Sequence, residues 1–169
     1  MNGYEIVNSN QLYTHLFDIL KSDMLDKLIS SRLKYPNTNF VSTLIDRNTL
    51  QPIKICCDKG SVNPLYHSEM VSLLSTDLKN NRDMIFLSSH KPCSMCLSAL
   101  IWYGIKDVYY YFTYSDTKDE FGISKDMNIV KSVFGVNDII KNNELCNFYC
   151  IKKDIPLSER ESFEKEYIQ

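Results

Sequence analysis

The sequence predicts a layered α/β sandwich whose sheet is at least partly parallel. Through the middle of the chain, segments of helical period alternate with short β-branched and aromatic runs. That order implies right-handed crossovers between parallel strands. The chain has 169 residues, 44% hydrophobic and 24% charged, which favours one globular domain, residues 1–169, with a core able to stand alone.

Each element has its own warrant. From Gln11 to Ser31, Leu12, Leu16, Ile19, Leu20, Leu25, Leu28 and Ile29 follow a helical period, with Ser9 or Asn10 placed to cap its start. Asn39–Ile45 and Ile53–Cys57 read as two strands of a hairpin around the turn Asp46-Arg47-Asn48. His67–Leu78 reads as a helix burying Met70, Val71, Leu73, Leu74 and Leu78. Met84–Leu87 is a short apolar run typical of a buried strand, and Pro92–Tyr103 is the next helix, with Gly104 suited to its C-terminal cap. Val108–Phe112 is a strand, Gly122–Val133 holds a helix, and Leu145–Ile151 is a last strand. Ser158-x-x-Glu161 has the form of a capping box opening a polar C-terminal helix.

Composition narrows the function. No apolar run approaches a membrane span, and MNGYEIVNSNQLY lacks the basic head and apolar stretch of a secretory signal, so a cytoplasmic location is expected. The net charge is −2 and the pI about 5.9, which gives no global pull toward a phosphate backbone but leaves room for a local basic patch. The six cysteines are expected to be reduced, two of them in a C-x-x-C pair of metal-binding spacing.

That pair belongs to a split motif, His67-Ser68-Glu69 and Pro92-Cys93-Ser94-Met95-Cys96. One imidazole and two thiolates can fill three corners of a zinc tetrahedron and leave the fourth to water. Both halves fall at predicted helix starts, where unpaired amides and partial positive charge stabilise thiolates. Cys93 and Cys96 share a helical face, and Pro92 suits a first turn. Glu69 is then free to take a proton from water, pass it to a ring nitrogen and assist the departure of ammonia, help typically worth ~10²–10⁴ in rate. A C-x-x-C pair can equally be a redox motif, half of a closed structural site or part of a core. Cys56, Cys57, Cys146, Cys150, His15 and His90 are the possible fourth ligands, and each is also readable as packing.

These residues resemble the cytidine deaminase-like superfamily of zinc-dependent deaminases, and within it the guanine/cytosine deaminase and tRNA adenosine deaminase branch. The likeness runs from about Phe40 to Val133. It implies a three-layer α/β/α sandwich with a central mixed five-stranded sheet, zinc held by His67, Cys93 and Cys96, and Glu69 as the proton shuttle. Cys96-Leu-Ser-Ala-Leu-Ile-Trp102 resembles the same helix in bacterial guanine deaminases, which makes Trp102 pocket wall or core. Thr113-Tyr-Ser-Asp116, followed by Phe121, resembles the segment that sets an aspartate against the purine. Asp116 is therefore expected either to read the base edge or to make a turn. Phe40 matches an aromatic near the pocket, or is simply buried.

The sequence also departs from the family. Lys91 stands where glutamate is common, with His90 beside it as site lining or packing. Ser68 replaces the alanine between histidine and glutamate, which leaves its backbone free to contact a base and adds a hydroxyl. The asparagine usual after the second strand has no clear counterpart between Ile53 and Asn63.

The resemblance implies a hydrolytic deaminase of a free nucleobase or nucleoside, with guanine-type substrates ahead of cytosine or cytidine. The alternatives are a tRNA adenosine deaminase, with Lys118, Lys125 and Lys131 as an RNA patch, and a non-catalytic scaffold keeping zinc for folding. It also implies a homodimer, in which Tyr109-Tyr110-Tyr111-Phe112 serves the contact or the core.

Overall fold

A five-stranded mixed sheet carries the computed structural model, which describes residues 9–77, 83–134 and 145–169. Its strands are β1 (Val41–Asp46), β2 (Pro52–Cys57), β3 (Met84–His90), β4 (Asp107–Phe112) and β5 (Asn147–Cys150), in the order β2-β1-β3-β4-β5. The predicted hairpin forms: β1 pairs antiparallel with β2 and, on its other side, with β3. β3–β4 and β4–β5 are parallel, as the strand–helix alternation requires.

Side-chain alternation along the strands creates two cores. On one face, Val41, Ile45, Ile85, Leu87, Tyr109 and Tyr111 pack against the N-terminal helical segment and the last helix. That segment is α1 (Ser9–Ile19), a π-helical turn (Leu20–Met24) and α2 (Leu25–Arg32). The last helix is α7 (Leu157–Ile168). On the other face, Leu44, Phe86, Val108, Tyr110 and Phe148 meet α3 (Ser68–Leu74) and α4 (Ser94–Trp102). Helices on both faces make the three layers expected. Among the described residues no helix is long and apolar enough to cross a membrane.

Several elements differ from expectation. Ser9 and Asn10 lie inside α1 rather than capping it. α3 turns Ser68, Glu69, Ser72 and Leu73 inward, while Leu74 is exposed; Leu78 lies outside the described residues. Small hydroxyls fill the inward face because it meets Ser42 and Ser88 of the sheet, and Ser72 is hydrogen-bonded to Ser42 (Oγ–Oγ 3.1 Å). The segment holding Asp116 is a helix, α5 (Tyr114–Phe121), and the following helix, α6, runs Lys125–Phe134. α7 starts after Pro156 without a side-chain cap, so Ser158 sits within its first turn and no capping box forms. Nor is α7 polar throughout: Phe163 and Tyr167 are buried. The run Tyr109–Phe112 is buried in the two cores.

Candidate metal centre and substrate cavity

The centre forms where two helix starts meet the C-terminal end of β3. His67 is the N-cap of α3 and Cys93 the N-cap of α4. Cys93 Sγ accepts the backbone N–H of Cys96 at 3.5 Å, so the cap itself turns the sulfur toward the helix axis. The ring of His67 approaches from the other helix, with Nδ1 3.5 Å from Cys93 Sγ. The donor atoms of His67, Cys93 and Cys96 all lie within 4.8 Å of one another.

The 3.5 Å between His67 and Cys93 already matches zinc, and the set as a whole, within 4.8 Å, needs to draw in by about 1 Å at most. A tetrahedral ion with Zn–S of about 2.3 Å and Zn–N of about 2.0 Å holds its ligand atoms roughly 3.5–3.8 Å apart. Among the described residues no fourth histidine, cysteine or carboxylate joins the group. Cys56, Cys57, Cys146 and Cys150 are all free thiols outside it.

The side chains are already polarised. Cys93 is pushed down to about 4, first by the hydrogen bond from Cys96 and then by His67, while the same bond and burial push Cys96 up. His67 rises to about 9 because it donates to Cys93. A thiolate–imidazole cluster of this kind is built for a cation.

Glu69 lies beside it, only 4% exposed. Ser88 Oγ donates to Oε1 at 3.1 Å and Ser68 Oγ to Oε2 at 3.2 Å, while Cys96 Sγ is 3.6 Å from Oε2. Burial, and then the charge of Cys93, raise Glu69 to about 7. A carboxyl poised there can both take and give a proton near neutrality.

A cavity of about 220 Å³ opens onto His67 and Cys93. Phe40, Pro64, Leu65, Ile123 and Ile129 give it apolar walls, and Lys125 and Asp126 its charge. Asp126 is lifted to about 6, mainly by burial and then by the charge of Cys93, and makes no hydrogen bond or ion pair among the described residues.

Of the five residues expected to touch substrate, only Phe40 lines this cavity. Ser68 is fully buried behind Glu69. His90 is packing: its ring sits against Phe40, Phe112 and Phe121 at centroid distances of 4.6–4.8 Å, with Nδ1 paired to Ser89 Oγ. Trp102 is neither pocket nor core, because the C-terminal end of α4 leaves it 91% exposed. Asp116 is spent on structure. Its Oδ2 accepts from Thr113 N and Oγ1, each at 2.8 Å, in a capping box that starts α5, and its Oδ1 pairs with Lys152 at 3.0 Å. Lys91 has its ammonium 5.3 Å from the ring centroids of both Tyr110 and Tyr114.

Ser88 and Asp126 escaped sequence reasoning. Strand period places Ser88 on the same face as Met84 and Phe86, a signal that was there to use. Asp126 had only its place in a first helical turn, which is no sign of a site.

No curated protein sequence matches the chain significantly, whereas solved structures do. A guanine deaminase from Nitrosomonas europaea superposes with a TM-score of 0.56 at 16% identity, over 88% of this chain and 82% of that one. Guanine deaminase from Bacillus subtilis gives 0.51 at 21% identity, over 83% and 88%. A structure from work on A-to-I editing by tRNA:A34 deaminases gives 0.51 at 15%, over 81% and 97%. At such identities the likeness is one of fold. The sequence itself reaches further: residues 22–112, which hold His67, Glu69, Cys93 and Cys96, match the cytidine and deoxycytidylate deaminase zinc-binding region, and the chain belongs to that family.

Proposed function

We propose that the chain is a zinc-dependent hydrolytic deaminase of a guanine-type base, releasing ammonia. The observation that carries the substrate is Asp126, a carboxylate with no hydrogen bond or ion pair among the described residues, in a cavity whose other charged side chain at the mouth is Lys125. In guanine the reacting C2 amine is flanked by N3, a proton acceptor, and by N1–H, a donor. Glu69 protonates the first and Asp126 accepts from the second. Cytosine puts a C–H where N1–H stands, and adenine puts the N7 lone pair on that side. Either would leave a half-buried carboxylate without a donor, a penalty of roughly 1–3 kcal/mol. This chemistry ranks cytosine, cytidine and tRNA adenosine below guanine. Nearby folds fit the reading: two are guanine deaminases, and a further variant protein of this fold was crystallised with 8-azaguanine.

His67, Cys93 and Cys96 would hold the ion, which would supply an electrophilic centre for activating water. Glu69 receives the proton of the attacking water, delivers it to the ring nitrogen and then serves the leaving amine. Ser68 and Ser88 fix its two oxygens for both transfers. Phe40, Leu65 and Ile129 keep bulk water from the ring. A carboxylate is not needed to hold metal in such a scaffold, so its burial and double hydroxyl support argue against a purely structural zinc site. The reading includes a cytoplasmic location, which the six free thiols support, and a homodimer, which the exposed Trp102 and Leu74 support.

Ammonia release from guanine, cytosine, cytidine, adenosine and tRNA by the zinc-loaded protein tests all of this. Guanine should be preferred. Glu69→Ala should lower turnover ~10²–10⁴-fold with zinc content unchanged. Asp126→Asn should weaken guanine use about 10–100-fold. Preference for cytidine, or an active Glu69→Ala, would overturn the reading.

A further inference from the structure

On the far side of the Phe40 wall, α2 and the edge strand β2 bound a groove of about 390 Å³. Lys27, Lys34, Lys54 and Lys59 all line it, in a chain whose net charge is −2. Among the described residues lining it the one carboxylate is Asp58, and it is turned to the backbone. Its Oδ1 accepts the N–H groups of Asn39 (3.0 Å) and Phe40 (2.8 Å). None of the four lysines makes an ion pair among the described residues, unlike Lys21 and Lys152. Four like charges gathered in one concave surface repel each other, and an anion relieves that repulsion.

The spacing of the charges selects the anion. Lys27 lies on α2 and Lys34 in the turn that follows it, about two turns of chain further on, so their ammoniums come from different points of one wall. Lys54 and Lys59 are separated by up to roughly 16 Å of extended chain. Cations strung out in this way match a row of phosphates better than one phosphate. The groove also runs into a second cavity of about 530 Å³ that shares Lys34, Tyr35 and Asp58 with it. Tyr35 stands at that junction, half-buried, with the Lys34 ammonium 5.3 Å from its ring centroid, so that ring and charge together can meet an unpaired base and its phosphate. A backbone-tracking row of lysines beside an aromatic ring is the general form of a single-strand binding groove.

We infer that this groove binds a single-stranded nucleic acid through its phosphates. The ligand is distinct from the base deaminated in the cavity. The two sites adjoin, since Asp58 lines the groove while its bond to Phe40 supports the cavity wall.

Fluorescence anisotropy with the full chain and a labelled oligouridylate of about 12 nucleotides tests this without any turnover. Four phosphate contacts on a single strand give a log–log salt slope of about −2.8, so affinity should fall about 50-fold between roughly 50 and 200 mM salt. Each single Lys→Gln change among the four should reduce the slope by about 0.7, and the quadruple change should abolish binding. All four side chains lie on the surface, and circular dichroism checks that the variants are folded. Three results would overturn the inference: no binding by the native chain, binding that survives the quadruple change, or displacement of the strand by GTP at equal affinity, which would make the site one for a mononucleotide. None of these touches the deaminase reading, which rests on Glu69 and Asp126.

Discussion

Glu69 shows how much a single side chain depends on its neighbours. Ser88 donates to Oε1 and favours the charged carboxylate, against the burial that lifts the group to about 7. Ser88→Ala should therefore lower kcat roughly 10-fold, as loss of a hydrogen bond to a charged group does. It should also move the acid limb of the pH–rate profile upward, which a merely structural change would not do. His90 gives a pH effect of another kind. Burial lowers it to about 3, with the charge of Asp116 opposing and that of Arg32 assisting. The unfolded chain then binds the proton more readily, starting near pH 6.5, so His90 supports the fold above that pH and weakens it on the way down to 3. Between pH 7 and 5 the loss should be roughly 2 kcal/mol in urea unfolding, and His90→Phe should remove most of that slope. The metal triad and Glu69 were legible because each half of their motif spans only a few residues. Asp126 and Ser88 were not, because folding across long sequence separations brings Asp126 to the cavity and Ser88 to Glu69.

At the level of elements, α5 is the instructive miss. It has eight residues, too few for a periodic signal, yet Thr113 and Asp116 hold its start with reciprocal hydrogen bonds. Of the two uses expected of Asp116, the local one holds, as a helix cap rather than a loop turn. Asp116→Ala should cost about 1–2 kcal/mol, measured by thermal or urea unfolding, since it removes a cap and one of the two partners of Lys152, the other being Glu164. Activity on guanine should persist at a temperature where the variant is folded, because Asp116 does not line the cavity. Strands and long helices were readable from period alone, within a few residues at their ends. The C-terminal capping pattern misled because Pro156 fixes the helix start two residues before Ser158. Gly104 was legible for a firmer reason: its φ of +86° past the end of α4 is a conformation in which any Cβ is strained.

For the whole molecule, the metal centre ties together parts of the chain far apart in sequence. α3 and α4 meet the sheet through the core formed by Leu44, Leu73, Phe86 and Leu100, and the ion would clamp their first turns. Removing it with a strong chelator should lower stability by about 4 kcal/mol, on the order of 10 °C in melting temperature, if zinc stands a thousandfold above its dissociation constant. Differential scanning calorimetry with and without zinc checks this; an unchanged melt would argue for a weakly held ion. The layered order was legible from the alternation of helix and strand, whereas the pairing of β1 with β3 and the location of the cavity depended on long-range packing. The single tryptophan adds an optical property. Because Trp102 is 91% exposed, its emission in the folded chain lies close to that of the denatured chain and is a poor gauge of unfolding. The same indole, set on the rim of α4, would shift to the blue only when another surface comes down on it, so a concentration series in a fluorimeter reads self-association directly.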